Sequence, residues 1–135
     1  GDNNIFPGTV KNAVKDGQGY LIQLDVDDLG SLWCRGDFAL VGAEAACCVR
    51  ADQLHLRLLT EQTDTGPEPA HNQLSARITA VEFTGYITRV TLALEKTGTE
   101  ILYKARTTDW MAHPLHEGQV GLLDWAATDC VFLAH

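Results

Sequence analysis

Apolar and polar residues alternate along most of the chain with a period of two, which is the pattern of half-buried β-strands. In two segments every second residue is apolar: Ile22, Leu24 and Val26 in the first, and Val90, Leu92 and Leu94 in the second. The second segment leads through a turn with Gly98 into a further alternating run. That run has Ile101, Tyr103 and Ala105 on one face, so we predict a β-hairpin.

The alternation slips midway in two long strands, residues 8–16 and 75–85. A slip of this kind indicates a β-bulge or a sharp coil, which is common where a sheet curls into a barrel. Elsewhere only residues 49–53 and 107–114 fit a short helical turn, and no segment fits a helix of three turns. The pattern therefore predicts an all-β fold built on barrels.

The chain contains two related copies of one pattern, and six pairs of residues recur in the same order. The aligned pairs are Asn4 with Asn72, Phe6 with Leu74, Val10 with Ile78, Gly42 with Gly118, Asp52 with Asp129, and Leu56 with Leu133. The offset grows along the chain, so the second copy carries an insertion, which we place at residues 106–118.

The predicted copies are residues 1–59 and 72–135, joined by residues 60–71. The joining segment is rich in Thr, Glu, Pro and Gly, which is the composition of a linker. About five strands in each copy predict two small β-barrels or one intertwined pair. Roughly 55 residues bury too little surface to be stable alone, so the two copies are expected to share a core.

Composition and charge exclude several classes of function. The formal net charge is −8, which disfavours binding to nucleic acid or to an anionic membrane surface. The longest apolar stretch, residues 38–49, is interrupted by Glu44 and is too short to span a bilayer, so no membrane insertion is expected. The chain begins without a signal peptide or an initiator Met, and we expect a fragment of a longer cytoplasmic protein.

The sequence contains no phosphate-binding loop, no GxSxG motif and no HExxH motif. We therefore predict that the chain alone is not an enzyme and that it binds no cofactor or metal ion. His113 and His116 have the spacing of a metal pair, but Pro114 between them disfavours the helical geometry. The four cysteines lack CxxC spacing and lie in apolar surroundings, as free thiols of a reduced core do.

Four residues are candidates for contact or regulation. Arg50, Asp52 and His55 lie close together in the segment VRADQLHL, although Asp52 also fits a turn residue. Trp110 lies in the insertion of the second copy. An exposed Trp110 indicates a contact surface, and the alternative is a loop residue folded back over the barrel.

Three segments resemble the C-terminal regulatory region of the ATPase subunit of ABC importers, the TOBE domain. They are NIFPGTV at the start of the first copy, VRADQLHL at its end, and EGQVGLLDWAATDCVFL at the end of the second. The resemblance covers nearly the whole chain and extends to importers of the maltose, polyamine, ferric-iron and phosphonate types. One departure is Ala51-Asp52, where the family has Pro-Glu.

The resemblance implies the following expectations. The fold is a duplicated pair of OB-like barrels of the TOBE type, also called MOP-like, that share a core. The function is regulation and dimerisation of an importer ATPase, without ATP hydrolysis because the nucleotide-binding domain is absent. The partners are a second copy of the same region, the nucleotide-binding domain and, indirectly, the membrane subunits, with the protein at the cytoplasmic face of the membrane.

Two other functions remain open. Small molybdate-binding proteins use the same barrel, and PAHNQL resembles their Ser-Ala-Arg-Asn-x-Leu motif at Asn72 and Leu74. Pro69 and His71 replace its Ser and Arg, and Asp109 falls near a later Ser, where a carboxylate would repel molybdate, tungstate or sulfate. An OB-type barrel that binds nucleic acid is the second alternative, and the net charge of −8 argues against it.

Overall fold

A computed structural model describes residues 2–59 and 70–134, which form ten β-strands, two 3₁₀ turns and one short helix. The first copy contains β1 (Asn3–Asp16), β2 (Gly19–Val26), β3 (Gly30–Gly36), β4 (Glu44–Arg50), a 3₁₀ turn (Ala51–Gln53) and β5 (His55–Leu58). The second contains β6 (His71–Thr84), β7 (Ile87–Leu94), β8 (Glu100–Arg106), α1 (Thr107–Ala112), β9 (Val120–Ala126), a 3₁₀ turn (Ala127–Asp129) and β10 (Cys130–Ala134). The all-β prediction and the predicted hairpin of β7 and β8 are confirmed.

The last strand of each copy lies in the sheet of the other copy. The first sheet is a closed barrel in the order β1-β2-β3-β10-β4, and the second sheet has the order β5-β9-β6-β7-β8. β10 pairs antiparallel with β4, and β5 pairs antiparallel with β9. The sequence leaves open two small barrels or one intertwined pair, and the structure exchanges the two strands. The halves are therefore an intertwined pair.

The predicted bulges are confirmed in both opening strands. The register of β1 against β2 shifts between Val10 and Asn12, and that of β6 against β7 shifts between Ile78 and Ala80. Each bulge allows a strand of 14 residues to pair with two neighbours as it bends around the sheet.

Strand registers support most of the sequence alignment and correct its end. Asn4 is opposite Val49 and Asn72 is opposite Trp125, as expected for equivalent residues. Near the end, however, the two 3₁₀ turns superimpose Asp52 on Thr128 rather than on Asp129. The alignment of Leu56 with Leu133 is likewise wrong by one position, since the strand registers make Phe132 the equivalent of Leu56.

One hydrophobic core runs through both halves. Ile22, Leu24, Val90 and Leu92 are fully buried, as the alternation predicts. The ring of Phe6 in the first copy stacks on Trp125 in the second, with 5.8 Å between the ring centroids. The expectation that the two copies share a core is therefore confirmed.

Two buried asparagines join the halves symmetrically. The side-chain amide of Asn72 donates to the carbonyl of Trp33 (2.8 Å), and its oxygen accepts from the Trp33 amide (2.7 Å). Asn4 makes the same pair of hydrogen bonds with Leu102, at 2.8 and 2.9 Å. Each side chain thus satisfies the backbone of a strand in the opposite copy, as a neighbouring strand would do.

The four cysteines are free thiols, and three of them lie in the barrel core. A hydrogen bond with Cys130 lowers the pKa of Cys47, but a hydrogen bond with Cys34 and burial outweigh it and raise the pKa to about 12. Cys48 is the half-buried exception, and burial also raises the pKa of its thiol.

We expect Cys48 to be the first cysteine that iodoacetamide labels in the native protein. The reagent must reach the sulfur to react, and the other three thiols are buried, at 0% to 1% exposure. Peptide mass spectrometry after timed labelling measures this order, with the denatured protein as the control in which all four react. Early labelling of Cys34, Cys47 or Cys130 would contradict the packing described.

The predicted linker lies mostly in residues 60–69, outside the described residues; beyond it, β6 begins at His71. The predicted short helical turns are present as α1 and the first 3₁₀ turn. Within residues 2–59 and 70–134, no helix has the length and apolar character needed to cross a membrane.

Candidate functional site

Arg50 and Asp52 lie together, as the sequence indicates, and form an ion pair with a 2.9 Å contact. They line a small cavity of about 90 Å³ with Asp2 and Lys104. A hydrogen bond from Lys104 holds the pKa of the Asp2 carboxyl below its ordinary value. Each cation in this cavity therefore faces a carboxylate, so the cavity carries no excess positive charge for an anion.

His55 belongs to a different surface. It is exposed at the start of β5 and pairs with Asp124 of β9. The same Asp124 carboxylate contacts His71 Nε2 at 3.2 Å and Arg57 Nε at 3.8 Å. The His71 position that differs from the molybdate motif is thus part of a hydrogen-bonded polar cluster on the outside of the second sheet.

Trp110 is not an exposed contact residue. Its side chain is 6% exposed and packs against Tyr103, with 6.4 Å between the ring centroids. The alternative of a residue folded back onto the β-structure fits its burial, although Trp110 lies in the helix α1 rather than in a loop and packs on the second sheet rather than on the closed barrel. Its neighbour Met111 is instead a large apolar side chain of the insertion that is exposed, at 58%.

One feature that sequence reasoning missed is an apolar surface on the outside of the closed barrel, which we call the outer apolar face. It consists of six outward residues on three adjacent strands: Ile5 and Pro7 of β1, Ala46 and Cys48 of β4, and Val131 and Leu133 of β10. Ile5 is 55% exposed and Val131 is 56% exposed. The strand registers place these residues in two rows, each with three neighbours side by side.

The equivalent surface of the second sheet is polar. Its residues at the same register positions are Gln73, Ser75, Leu122, Asp124, His55 and Arg57. The contrast shows that the fold does not require apolar residues there. The sequence of β4 contains one indication of this face, because the strand has no polar residue between Glu44 and Arg50. The same pattern is equally typical of a strand that is buried on both sides.

The loop after the neighbouring strand β3 carries further exposed apolar side chains. β10 runs parallel to β3, which ends at Gly36. The loop after β3 carries Phe38, Leu40 and Val41, which are 66%, 65% and 61% exposed. A run of exposed apolar side chains of this size marks an interaction surface more often than chance exposure.

The largest pocket lies in the second half, between the edge strands β5 and β8, and we call it the seam pocket. It has a volume of about 580 Å³. Its lining residues are Leu56, Arg57, Leu58, Tyr103, Ala105, Asp109, Trp110, His113, Pro114 and Leu115. Burial and the nearby Asp109 carboxylate raise the pKa of the Tyr103 hydroxyl. Among the described residues, no group of three or more His, Cys, Asp or Glu side chains is placed to hold a metal ion.

Together, the closed five-stranded barrel, the strand exchange and the duplicated asparagines define a class of duplicated OB-like β-barrel modules. The TOBE domain family matches residues 47–133, and the chain belongs to this family. TOBE domains are not a catalytic family.

A solved structure agrees with this assignment. The chain is similar to the cytoplasmic molybdate-binding protein ModG, in a crystal form with molybdate bound, with a TM-score of 0.81 and 20% identity. The match covers 98% of this chain and 96% of ModG, and at this identity it establishes the fold alone. No curated protein sequence matches the chain.

Proposed function

We propose that this TOBE chain is a regulatory and dimerisation module of an ABC importer ATPase subunit, working at the cytoplasmic face of the membrane. The observation that carries the proposal is the outer apolar face. Removing a surface of this kind from water by contact with another protein is favourable, and the same strand positions of the second sheet carry mostly polar residues, so the strand pairing itself does not require apolar ones.

The outer apolar face is the surface through which a second copy of the chain can bind with the least electrostatic repulsion. The net charge of −8 makes two copies repel each other when charged surfaces meet. The outer apolar face carries no charged residue, so two copies meet there at the lowest electrostatic cost. A standard interface buries about 800 Å² on each partner, and the loop after β3 of the same barrel carries three further exposed apolar side chains, Phe38, Leu40 and Val41.

The module acts by contact. Association through the outer apolar face fixes the distance between two subunits, and therefore the resting separation of the nucleotide-binding domains that they carry. A partner protein or small effector that binds one arrangement more tightly shifts the equilibrium between separated and closed ATP sites.

The test uses Cys48, which lies on β4, the middle one of the three strands that form the face. We expect iodoacetamide to label Cys48 at least fivefold more slowly at high protein concentration, where copies associate, than at low concentration. A labelling rate that does not depend on concentration contradicts association through this face. For the importer role, deletion of the region from the ATPase subunit that carries it is expected to change the ATPase rate; an unchanged rate with a monomeric chain contradicts the proposal.

Oxyanion binding is the second candidate, and the match to ModG over nearly the whole length of both chains supports it. Against it, Arg50 and Lys104 are each engaged by a carboxylate, and Arg57 and His71 share Asp124. Calorimetry with molybdate, tungstate and sulfate decides between the candidates. Heat that saturates at micromolar molybdate favours this function, and no heat at millimolar ligand excludes it.

A further inference from the structure

The seam between the first and last strands of the sheet differs between the two halves. In the first half β3 and β10 pair in parallel, with Val131 opposite Arg35, and the barrel closes. In the second half the equivalent strands are β8 and β5, and no strand pairing joins them within the described residues. The seam pocket occupies this gap.

Two substitutions between the copies explain why the second seam is open. Strand registers make Tyr103 the equivalent of Cys34, and Ala105 the equivalent of Gly36. A Cβ atom at Gly36 would lie only 2.9 Å from the Cβ of Phe132, so the closed seam requires glycine there. In the second half a phenol ring replaces a buried thiol and a methyl group replaces the glycine hydrogen, and both changes hold β8 away from β5.

The insertion of the second copy completes the same pocket. The helix α1 follows β8 directly and places Trp110 against Tyr103. The segment after α1 adds Pro114 and Leu115 to the wall. The features that distinguish the second copy, namely the larger residues of β8 and the insertion, therefore converge on one cavity that the first copy lacks.

The lining selects a kind of ligand. The rings of Tyr103 and Trp110 lie in the wall beside five aliphatic residues, which favours a flat aromatic molecule, because ring pairs contribute beyond their buried area. The polar part of the lining consists of the Arg57 guanidinium, the Asp109 carboxylate and the His113 imidazole. Arg57 also lies 3.8 Å from Asp124, so a ligand with a net charge meets both signs and gains little. The volume of about 580 Å³ lies in the range typical of small-molecule sites.

We propose that the seam pocket binds a small aromatic molecule without net charge. The site goes beyond the contact function proposed above and does not depend on it, since the pocket lies in the second sheet and the outer apolar face lies on the first barrel. A ligand there bridges β5, which the first copy contributes, to β8 and α1, which the second copy contributes. Binding would therefore stabilise the strand exchange itself.

The experiment is a titration of the full chain with indole, followed by two-dimensional ¹H–¹⁵N NMR. Benzoate and benzylamine serve as charged aromatic probes, and cyclohexanol as a neutral non-aromatic probe. We expect indole to give saturable shifts of the Trp110 side-chain N–H and of β5, β8 and α1. The side-chain N–H signal of Trp125 should not shift in the same titration. The affinity for indole should exceed that for each other probe at least fivefold.

The variant Ala105→Leu fills the pocket and is expected to weaken indole binding at least tenfold. Ala80→Leu adds the same volume at an exposed position of β6 and should bind indole as the wild type does. The proposal is overturned if the shifts map to the outer apolar face, if a charged or non-aromatic probe binds as tightly as indole, or if Ala105→Leu binds normally. The set of signals that shift in the wild type locates the binding site, so it tests the proposal without any variant.

Discussion

A chain that ends at Asp129 is expected to lose the first barrel, even though the deleted residues belong to the second copy. β10 supplies the strand between β3 and β4 that closes this barrel. Its removal exposes the pairing edge of β4 along five residue positions and takes away the partly buried ring of Phe132. Loss of the buried aromatic surface alone costs roughly 1.5–3 kcal/mol, and the opened edges add to this cost.

Hydrogen exchange followed by mass spectrometry measures the effect by segment. We expect protection to fall at least tenfold in β3 and β4, and much less in β6, β7 and β9. A chain shortened only by Ala134 and His135 is the matched control and should keep its protection. Loss of protection confined to the second half would mean that each copy keeps its own last strand, contrary to the strand exchange.

Replacing Asn72 by leucine is expected to destabilise the protein by about 2–4 kcal/mol. The side chain is 2% exposed and satisfies both backbone groups of Trp33. Leucine leaves a buried N–H and a buried carbonyl without partners, and each such group costs about 1–3 kcal/mol. Asn72→Asp retains the shape but loses the donor to the Trp33 carbonyl, so we expect it to be destabilising as well.

Urea unfolding monitored by circular dichroism measures these changes. Asn12→Leu is the control, because Asn12 is exposed and its side chain bonds only the next residue's amide, and its effect should stay below about 0.5 kcal/mol. Asn4→Leu should resemble Asn72→Leu, since Asn4 holds Leu102 in the same way. Equal stability of Asn72→Leu and Asn12→Leu would show that the amides do not join the halves.

The sequence predicts the strands well, because a period of two depends only on which face of each strand is buried. It also detects the duplication, including the pairing of Asn4 with Asn72. It leaves open whether the copies form two separate barrels or one intertwined pair, and it does not show that β5 and β10 are the strands that exchange. A short apolar strand has the same pattern whichever copy it pairs with, so nothing in the residues of β10 distinguishes β4 from β9 as its neighbour.

The candidate residues illustrate the same limit. Arg50 and Asp52 are neighbours in sequence and remain together in space, whereas His55 lies on another surface, because the turn between them leads from the first barrel to the second sheet. Trp110 is buried because its ring packs against the ring of Tyr103 in the preceding strand. Neither the separation of His55 from Arg50 nor the burial of Trp110 can be predicted from the spacing of residues in the sequence.

The outer apolar face is a property of three strands that are distant in sequence. Ile5, Cys48 and Val131 become neighbours only when β1, β4 and β10 lie side by side. Seen one strand at a time, each residue is an ordinary exposed apolar residue, of the kind that every protein surface contains. The register of the closed barrel is what turns them into one surface.

Association through that face is tested most directly by light scattering on the double variant Ile5→Gln, Val131→His. These are the residues that the second sheet has at the equivalent positions, Gln73 and His55, so the barrel should tolerate them. The variant Gln73→Ala, His55→Ala changes the same positions on the polar face and is the control. Wild type and control are expected to have about twice the monomer mass of 14.7 kDa, and the double variant is expected to have the monomer mass. A wild type that stays monomeric at every concentration, or a double variant with the wild-type mass, would contradict association through that face.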